Sequence, residues 1–266
     1  MAEPHAAGQV STAAAEVYAD FFVPALFAQW TAPVLEAVGV QPGDSVIDIG
    51  CGTGVLARAA ARQVGPAGSV IGVDPNEGML AVAGRSTDAV AWKSGTAEDL
   101  PIGDESVDRV VSQFALMFFA DREAAISEMA RVLKPTGGMA LAVWSRIEGS
   151  PGYASLASLV DELFGSAAAD AIRAPFSFGD PAVLRDLVNS RFAAVRVEEH
   201  AGTARFPSLE AWMHTEIRGW TLAELIDDEQ YQRLLAAAGT KLPVADGRGH
   251  IEFPVRATIV TGSKPR

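Results

Sequence analysis

Three glycines at alternate positions, Gly50, Gly52 and Gly54, follow Asp48 in the run Val46-Ile47-Asp48-Ile49-Gly50-Cys51-Gly52-Thr53-Gly54, and a second acid, Asp74, ends the run Val70-Ile71-Gly72-Val73-Asp74. Glycine has no Cβ, so a ligand can lie directly against a backbone built this way. A carboxylate at the tip of the second run can accept hydrogen bonds from a ribose diol. Other groups able to do chemistry are sparser. His214 lies among Trp212, Met213, Ile217 and Trp220, and is the foremost candidate for a general base, if it is not an ordinary surface or core histidine. His200, His250 and Glu216 are lesser candidates. Cys51 is the single cysteine, which forbids an internal disulfide and a multi-cysteine metal site. Inside the glycine turn it reads as a small packing residue. No cluster of metal-ligating residues is visible, and no metal is expected.

A glycine turn followed by an acid also describes dinucleotide sites, which want Gly-x-Gly-x-x-Gly. Here the third glycine arrives one residue early and Val55 takes its place, which disfavours NAD. The run from Asp48 to Gly54 instead resembles the first motif of class I S-adenosylmethionine (SAM) dependent methyltransferases. Ser94-Gly95-Thr96-Ala97-Glu98-Asp99-Leu100-Pro101, with Ser106-Val107-Asp108 after it, is similar to a later motif of the type 11, ubiquinone/menaquinone-methyltransferase-like, branch. So is Arg131-Val132-Leu133-Lys134-Pro135-Thr136-Gly137-Gly138, where Thr136 replaces the family's first glycine. The resemblance covers residues 44–145 and is weak on either side.

The resemblance implies a cofactor site. Asp48, Gly50, Cys51, Gly52 and Gly54 would pack against the amino-acid part of SAM, and Asp74 would hold its ribose, with Pro75 and Met79 beside it. Ala97 and Glu98 would flank the adenine, an acidic acceptor suiting its exocyclic amine; without the resemblance Glu98 and Asp99 read as a solvated acidic turn. Gln113 and Phe114 end a strand on the side where open α/β sheets bind ligands. Gln113 could touch the methionine moiety or simply cap a helix. Tyr18 stands for an aromatic N-terminal helix, which either closes over the cofactor or only packs on the sheet. Trp212, Met213 and Trp220 recur at helix spacing, and are either a wall of the acceptor pocket or plain core. The implied reaction is transfer of a methyl group to an O, N or C nucleophile of a small, largely apolar molecule, releasing S-adenosylhomocysteine. The alternative is a protein of the same fold that binds SAM without transferring methyl.

The elements that must position these residues alternate. Apolar runs near 45–49, 69–73, 90–94, 107–112 and 138–144 read as strands, and helical patterns fall near 54–63, 76–84 and 121–133. That alternation yields a parallel sheet with right-handed crossovers. The expected fold is α/β and Rossmann-like, with seven mostly parallel strands and an antiparallel last strand. Residues 1–40 form an N-terminal helical segment over the cofactor pocket, in which Pro24 breaks or kinks the helix predicted over 12–30. Residues 41–200 and 249–266 make the SAM-binding domain. An amphipathic helix is predicted over 153–164 and another over 181–189, with Asp180 as its cap. Strands near 193–199 and 251–261 should form an antiparallel hairpin at the sheet edge, the second inserted beside strand five. Residues 201–248 are a helical insertion, too long for a hairpin loop, and read as a lid over the acceptor.

Composition sets the partners. The chain has 266 residues and a formal net charge of −12. No two basic residues are adjacent, so nucleic acid and anionic lipid are excluded as general partners. Residues 21–35 carry no charge but read as too short to span a bilayer, and no secretory signal is visible. A cytoplasmic enzyme with a small-molecule acceptor, monomeric or homodimeric, is expected.

Overall fold

A computed structural model of the chain describes residues 11–86, 88–218, 226–242 and 249–265. Its strands are β1 (Ser45–Ile49), β2 (Ser69–Asp74), β3 (Ala91–Ser94), β4 (Val107–Gln113), β5 (Leu133–Trp144), β6 (Ala193–Phe206) and β7 (Ile251–Ser263). They form one sheet in the order β3-β2-β1-β4-β5-β7-β6. The first five are parallel, and β7 runs antiparallel between β5 and β6. The reversal of order at β1 and β4 opens a crevice at the strands' C-terminal ends. Asp74, the glycine turn and Gln113 all lie at that edge.

Helices α1 (Thr12–Val17), α2 (Thr31–Val38), α3 (Val55–Val64), α4 (Glu77–Gly84) and α5 (Arg122–Val132) precede β5. Helices α6 (Pro151–Phe164), α7 (Ser166–Arg173), α8 (Pro181–Asn189), α9 (Leu209–Arg218) and α10 (Asp228–Lys241) follow it. Their starts obey local chemistry. The side chains of Asn76, Asp121 and Asp180 accept from the backbone N–H of Met79, Ala124 and Ala182 and so cap α4, α5 and α8. Helix α2 stops at Gly39, which takes φ +67°. Helix α7 carries no sequence expectation; its mostly alanine sequence gave little periodicity to read.

The apolar runs of β1 and β4 are buried because both faces of the sheet are covered. Val46, Val111 and Ala140 pack with Leu35, Leu56 and Ala60 of α2 and α3. Ile47, Val110 and Leu141 pack with Ile126, Met129 and Leu184 of α5 and α8. A third cluster is aromatic and joins the N-terminal segment, α6, α9 and α10 to β7.

Three expectations shift. The run Pro135-Thr136-Gly137-Gly138, whose proline and glycines predict a turn closing the helix over 121–133, lies within β5. Pairing with β4 begins at Leu133 opposite Val107 and resumes at Gly138 opposite Arg109, so 134–137 bulge out. Thr136, standing where the resemblance wants glycine, takes φ +71°. Strand β6 runs on to Phe206, each residue from Arg196 paired with β7, so the insertion leaves the sheet only after residue 206.

The N-terminal stretch differs most. Pro24 does not break the helix. Tyr18–Phe27 widens into a π-helix, and the N–H of Ala28 reaches back to the carbonyl of Val23. The wide turn absorbs the ring and missing N–H of Pro24. The helical stretch Thr12–Val38 is thereby continuous over 27 residues, long and apolar enough by length and composition to cross a bilayer. Phe22, Leu26, Trp30, Val34 and Leu35 along it are buried in the protein. Gln29 fixes the stretch to the sheet. Its side-chain amide accepts from the Thr203 N–H at 2.9 Å and donates to the Thr203 carbonyl at 3.0 Å. Replacing Gln29→Ala leaves both backbone groups of this part-buried edge residue unpaired. We expect a loss of about 1–3 kcal/mol in unfolding free energy, read by urea denaturation.

Candidate functional site

The turn after β1 is shaped by the strand beside it. The N–H groups of Gly50 and Cys51 both donate to the carbonyl of Val73, at 2.8 and 3.1 Å. Gly50, Gly52 and Gly54 take φ of +67°, +53° and +83°, the left-handed region that L side chains rarely adopt. The glycines serve different ends. A Cβ on Gly50 would lie 2.4 Å from that of Ala115, and one on Gly54 would lie 2.3 Å from the ring of Trp92. Those two are needed for packing. A Cβ on Gly52 would meet nothing within 4 Å, so its bare Cα borders open space, a cradle that a side chain would fill.

Asp74 is 8% exposed and holds this cradle. One carboxylate oxygen accepts from the Gly52 N–H at 2.8 Å, the other from the Asn76 N–H at 2.9 Å. Burial pushes its pKa up, against those two hydrogen bonds. Asp48, in β1 below the turn, accepts from the Ala57 N–H at 2.9 Å. Burial pushes its carboxyl up to about 8, held back by that N–H and pushed further by Asp74. Its Oδ1 and the hydroxyl of Thr53 are buried without a hydrogen-bond partner. Cys51 is buried and its thiol is pushed well up, first by burial and then by the two carboxylates, which suits packing and not nucleophilic chemistry.

Tyr18 reaches the same place from the N-terminal π-helix. Its phenol is raised by burial and by the charges of Asp74 and Asp48, so the ring lies near both acids. It stacks on Phe27 at 5.3 Å between centroids. Gln113, at the end of β4, donates through Nε2 to the carbonyl of Phe27 at 3.1 Å, while its Oε1 is buried with no donor. Phe114 takes φ +54° and stacks on Trp144 at 4.0 Å. Ala97 is buried. Glu98 uses Oε1 to accept from the N–H groups of Ala120 and Asp121 at 2.8 and 3.2 Å, tying its turn to the start of α5. Pro75 is exposed and Met79 half-buried in the first turn of α4.

The insertion places its predicted residues on opposite sides of α9. Trp212 and Met213 are fully buried, the indole packing on Phe253 at 4.7 Å and edge-on to Tyr153 at 6.0 Å. His214 faces solvent. Trp220 lies outside the described residues. Glu216, by contrast, is buried, and accepts a 2.5 Å hydrogen bond from the Tyr153 hydroxyl. The structure therefore brings together the glycine turn, Asp48, Asp74, Tyr18 and Gln113, while His214 lines a separate opening with Phe21, Ser208 and Thr215. Among the described residues no group of three or more His, Cys, Asp or Glu could hold a metal. Sequence reasoning did not find Thr53, Asn76 or Phe27. Only Asn76 left a signal, as a cap residue directly after a strand tip.

Comparison with known proteins agrees with this arrangement. Residues 47–141 match the family described as "Methyltransferase domain". A demethylmenaquinone methyltransferase of Symbiobacterium thermophilum is 40% identical over 115 residues, which are 41% of this chain and 46% of that one. A ubiquinone/menaquinone biosynthesis C-methyltransferase of Bordetella parapertussis is 39% identical over 136 residues, 50% of this chain and 53% of that one. The chain thus spans about half the length of the curated relatives it matches. Among solved structures, the YcgJ protein from Bacillus subtilis superposes with a TM-score of 0.60 at 21% identity, covering 90% of this chain and 99% of that one. That likeness shows the fold.

Asp48 sets a pH dependence. Its folded pKa lies above the ordinary carboxylate value, so the folded state binds its proton more tightly, and the associated stability falls as pH rises from about 4 to about 8. Asp48→Asn keeps an acceptor for Ala57 and removes the titration. In thermal melts from pH 5 to 9, the wild type should lose more stability at the alkaline end than the variant.

Proposed function

We propose that this chain, whose residues 47–141 are a class I methyltransferase domain of the type 11 family, binds SAM at the glycine turn and transfers its methyl group to a small, largely apolar acceptor. The observation that carries the reading is the cradle at Gly52. An open face of bare backbone adjoins a carboxylate anchored 2.8 Å away on the neighbouring strand. Asp74 would take the ribose hydroxyls, and the orphaned Oε1 of Gln113 would accept from the α-ammonium. Gly50, Cys51, Gly52 and Gly54, over Asp48, would border the amino-acid part. Tyr18 would cover the sugar side, Pro75 and Met79 would flank it, and Ala97 with Glu98 would line the adenine.

SAM supplies an electrophilic methyl group on a sulfonium. The protein's task is alignment of the acceptor with that carbon, which at best supplies on the order of 7–11 kcal/mol of the barrier. Phe27, Phe114, Trp144 and Phe176 form a run of buried rings at the C-terminal ends of β4 and β5, and a flat apolar acceptor would border this packing. The relatives' names point to quinone-type acceptors. Trp212 and Met213 extend this wall in our reading, and the insertion is the acceptor's lid. Attack comes from an O, N or C atom, and S-adenosylhomocysteine leaves. His214 is exposed on α9, and the reading relies on positioning and names no dedicated base. With a net charge of −12, a cytoplasmic enzyme that acts on small molecules, free of nucleic acid and membrane, as a monomer or homodimer, is the coherent whole.

The test is calorimetric titration with SAM, S-adenosylhomocysteine and NAD⁺ in parallel. The first two should bind and the third should not; heat from NAD⁺ alone would overturn the reading. SAM binding without turnover of any quinol, phenol or amine offered would favour a binding protein over an enzyme. Asp74→Ala should weaken SAM by roughly 10- to 100-fold, the value of one to two hydrogen bonds to a charged group, and an unchanged affinity would remove Asp74 from the site.

A further inference from the structure

The buried acid that the cofactor site does not use is Glu216. It is 7% exposed, on α9 of the insertion, and sits in the aromatic cluster with Tyr153, Trp212 and Phe253. Tyr153, 6% exposed, stands in the first turn of α6, which follows the C-terminal end of β5 across residues 145–150. The 2.5 Å hydrogen bond between them joins the insertion to the body of the protein. Its surroundings are rings: Tyr153 packs on Phe176 at 5.4 Å and Phe253 at 5.5 Å. Among the described residues no cation pairs with Glu216. The elements packed on α9 are α6 and β7, through Tyr153 and Phe253, together with β6, α10 and the Tyr18–Phe27 segment. Of their charged groups, Arg205 is engaged by Glu252, Lys241 by Glu162, Arg256 by Glu199 and Asp161 by Arg173; Arg196, Arg233 and His200 form no ion pair with Glu216, and Asp20, Glu198, Asp228 and Glu229 carry its own sign of charge. An ionisable side chain kept in such a place costs stability that a leucine would not.

We infer that the Tyr153–Glu216 hydrogen bond is a proton-dependent latch holding α9 against the body of the protein. Closed, the carboxyl is desolvated and holds its proton; open, it meets water and releases it. Burial lifts the Glu216 pKa from 4.5 to about 7, partly offset by the Tyr153 hydroxyl. A carboxyl raised in the closed state favours closure fully below pH 4.5, and the advantage is lost as pH rises toward 7. Near neutrality the latch is poised at the midpoint of its own titration, and small changes in pH alter how often α9 opens. If α9 is the acceptor lid, acceptor entry inherits that dependence. The latch itself rests on the packing of α9 and stands whether or not methyl transfer does.

Hydrogen exchange of the full chain, followed by mass spectrometry at pH 5.5 and 7.5 and corrected for intrinsic exchange, reads the latch directly. Peptides within Leu209–Arg218 should open roughly tenfold more often at the higher pH, since each pH unit inside the window is worth up to about tenfold. Peptides of α5 serve as the internal control, because the titration of Asp48 acts through the whole sheet. Glu216→Gln should flatten the α9 response, and Tyr153→Phe should raise α9 exchange at both pH values. A wild-type response no larger in α9 than in α5 overturns the latch, even if neither variant folds. So does a Glu216→Gln variant that keeps the full slope. Parallel SAM titrations separate this outcome from failure of the cofactor reading.

Discussion

The carboxylate of Asp74 bridges two segments that the rest of the site presupposes. It binds the N–H of Gly52 on one side and that of Asn76 on the other. Through the first it fixes the turn after β1; through the second it fixes the start of α4. The first of these hydrogen bonds relies on a turn whose φ at Gly50, Gly52 and Gly54 lies in a region costly for any residue with a Cβ. Parallel pairing in register, Ile49 against Val73, brings strand tip and turn together. The crevice is thus a consequence of two strands' lengths and three missing side chains.

Around this polar centre the molecule builds an apolar roof. Tyr18, Phe22, Phe27 and Trp30 from the N-terminal segment meet Phe114 and Trp144 from the sheet. Tyr153, Phe176, Trp212 and Phe253 continue the same packing toward the insertion. Ring contacts of this kind are tolerant of small displacements, since offset and edge-on geometries are close in energy. A roof made of them can open along one seam without unravelling elsewhere.

How much of this could be read in the sequence depended on the range of the signal. Local patterns carried the first five strands, α3, α4, α5 and α8, and the placing of the glycine turn and Asp74 at neighbouring strand tips; the hydrogen bond between Gly52 and Asp74 was not among them. Helix periodicity in 209–218 was legible too, but not which side faced inward. Trp212 and Met213 went to the core, and the neighbour His214 went to solvent, a rotation that only α6 and β7 could decide. The bulge at 134–137 was hidden because Pro135 and two glycines mark a turn equally well inside a strand. The π-helix at Pro24 was hidden because proline normally ends a helix, and widening depends on what the helix packs against. Glu216 and Tyr153, 63 positions apart in the sequence, left no joint trace in it.

The place of β7 in the sheet has a kinetic side. It lies between β5 and β6, yet it is the last of the seven strands to be synthesised. Strand β6 has no partner until residues 251–263 have emerged, and during that interval both of its edges are bare. Its sequence is suited to waiting: Arg196, Glu198, Glu199 and Arg205 keep it charged, and most of its residues remain exposed or only half-buried after folding. An edge so charged resists pairing with another chain. The nascent protein can therefore hold an incomplete sheet without offering a template for aggregation, and the final hairpin closes it.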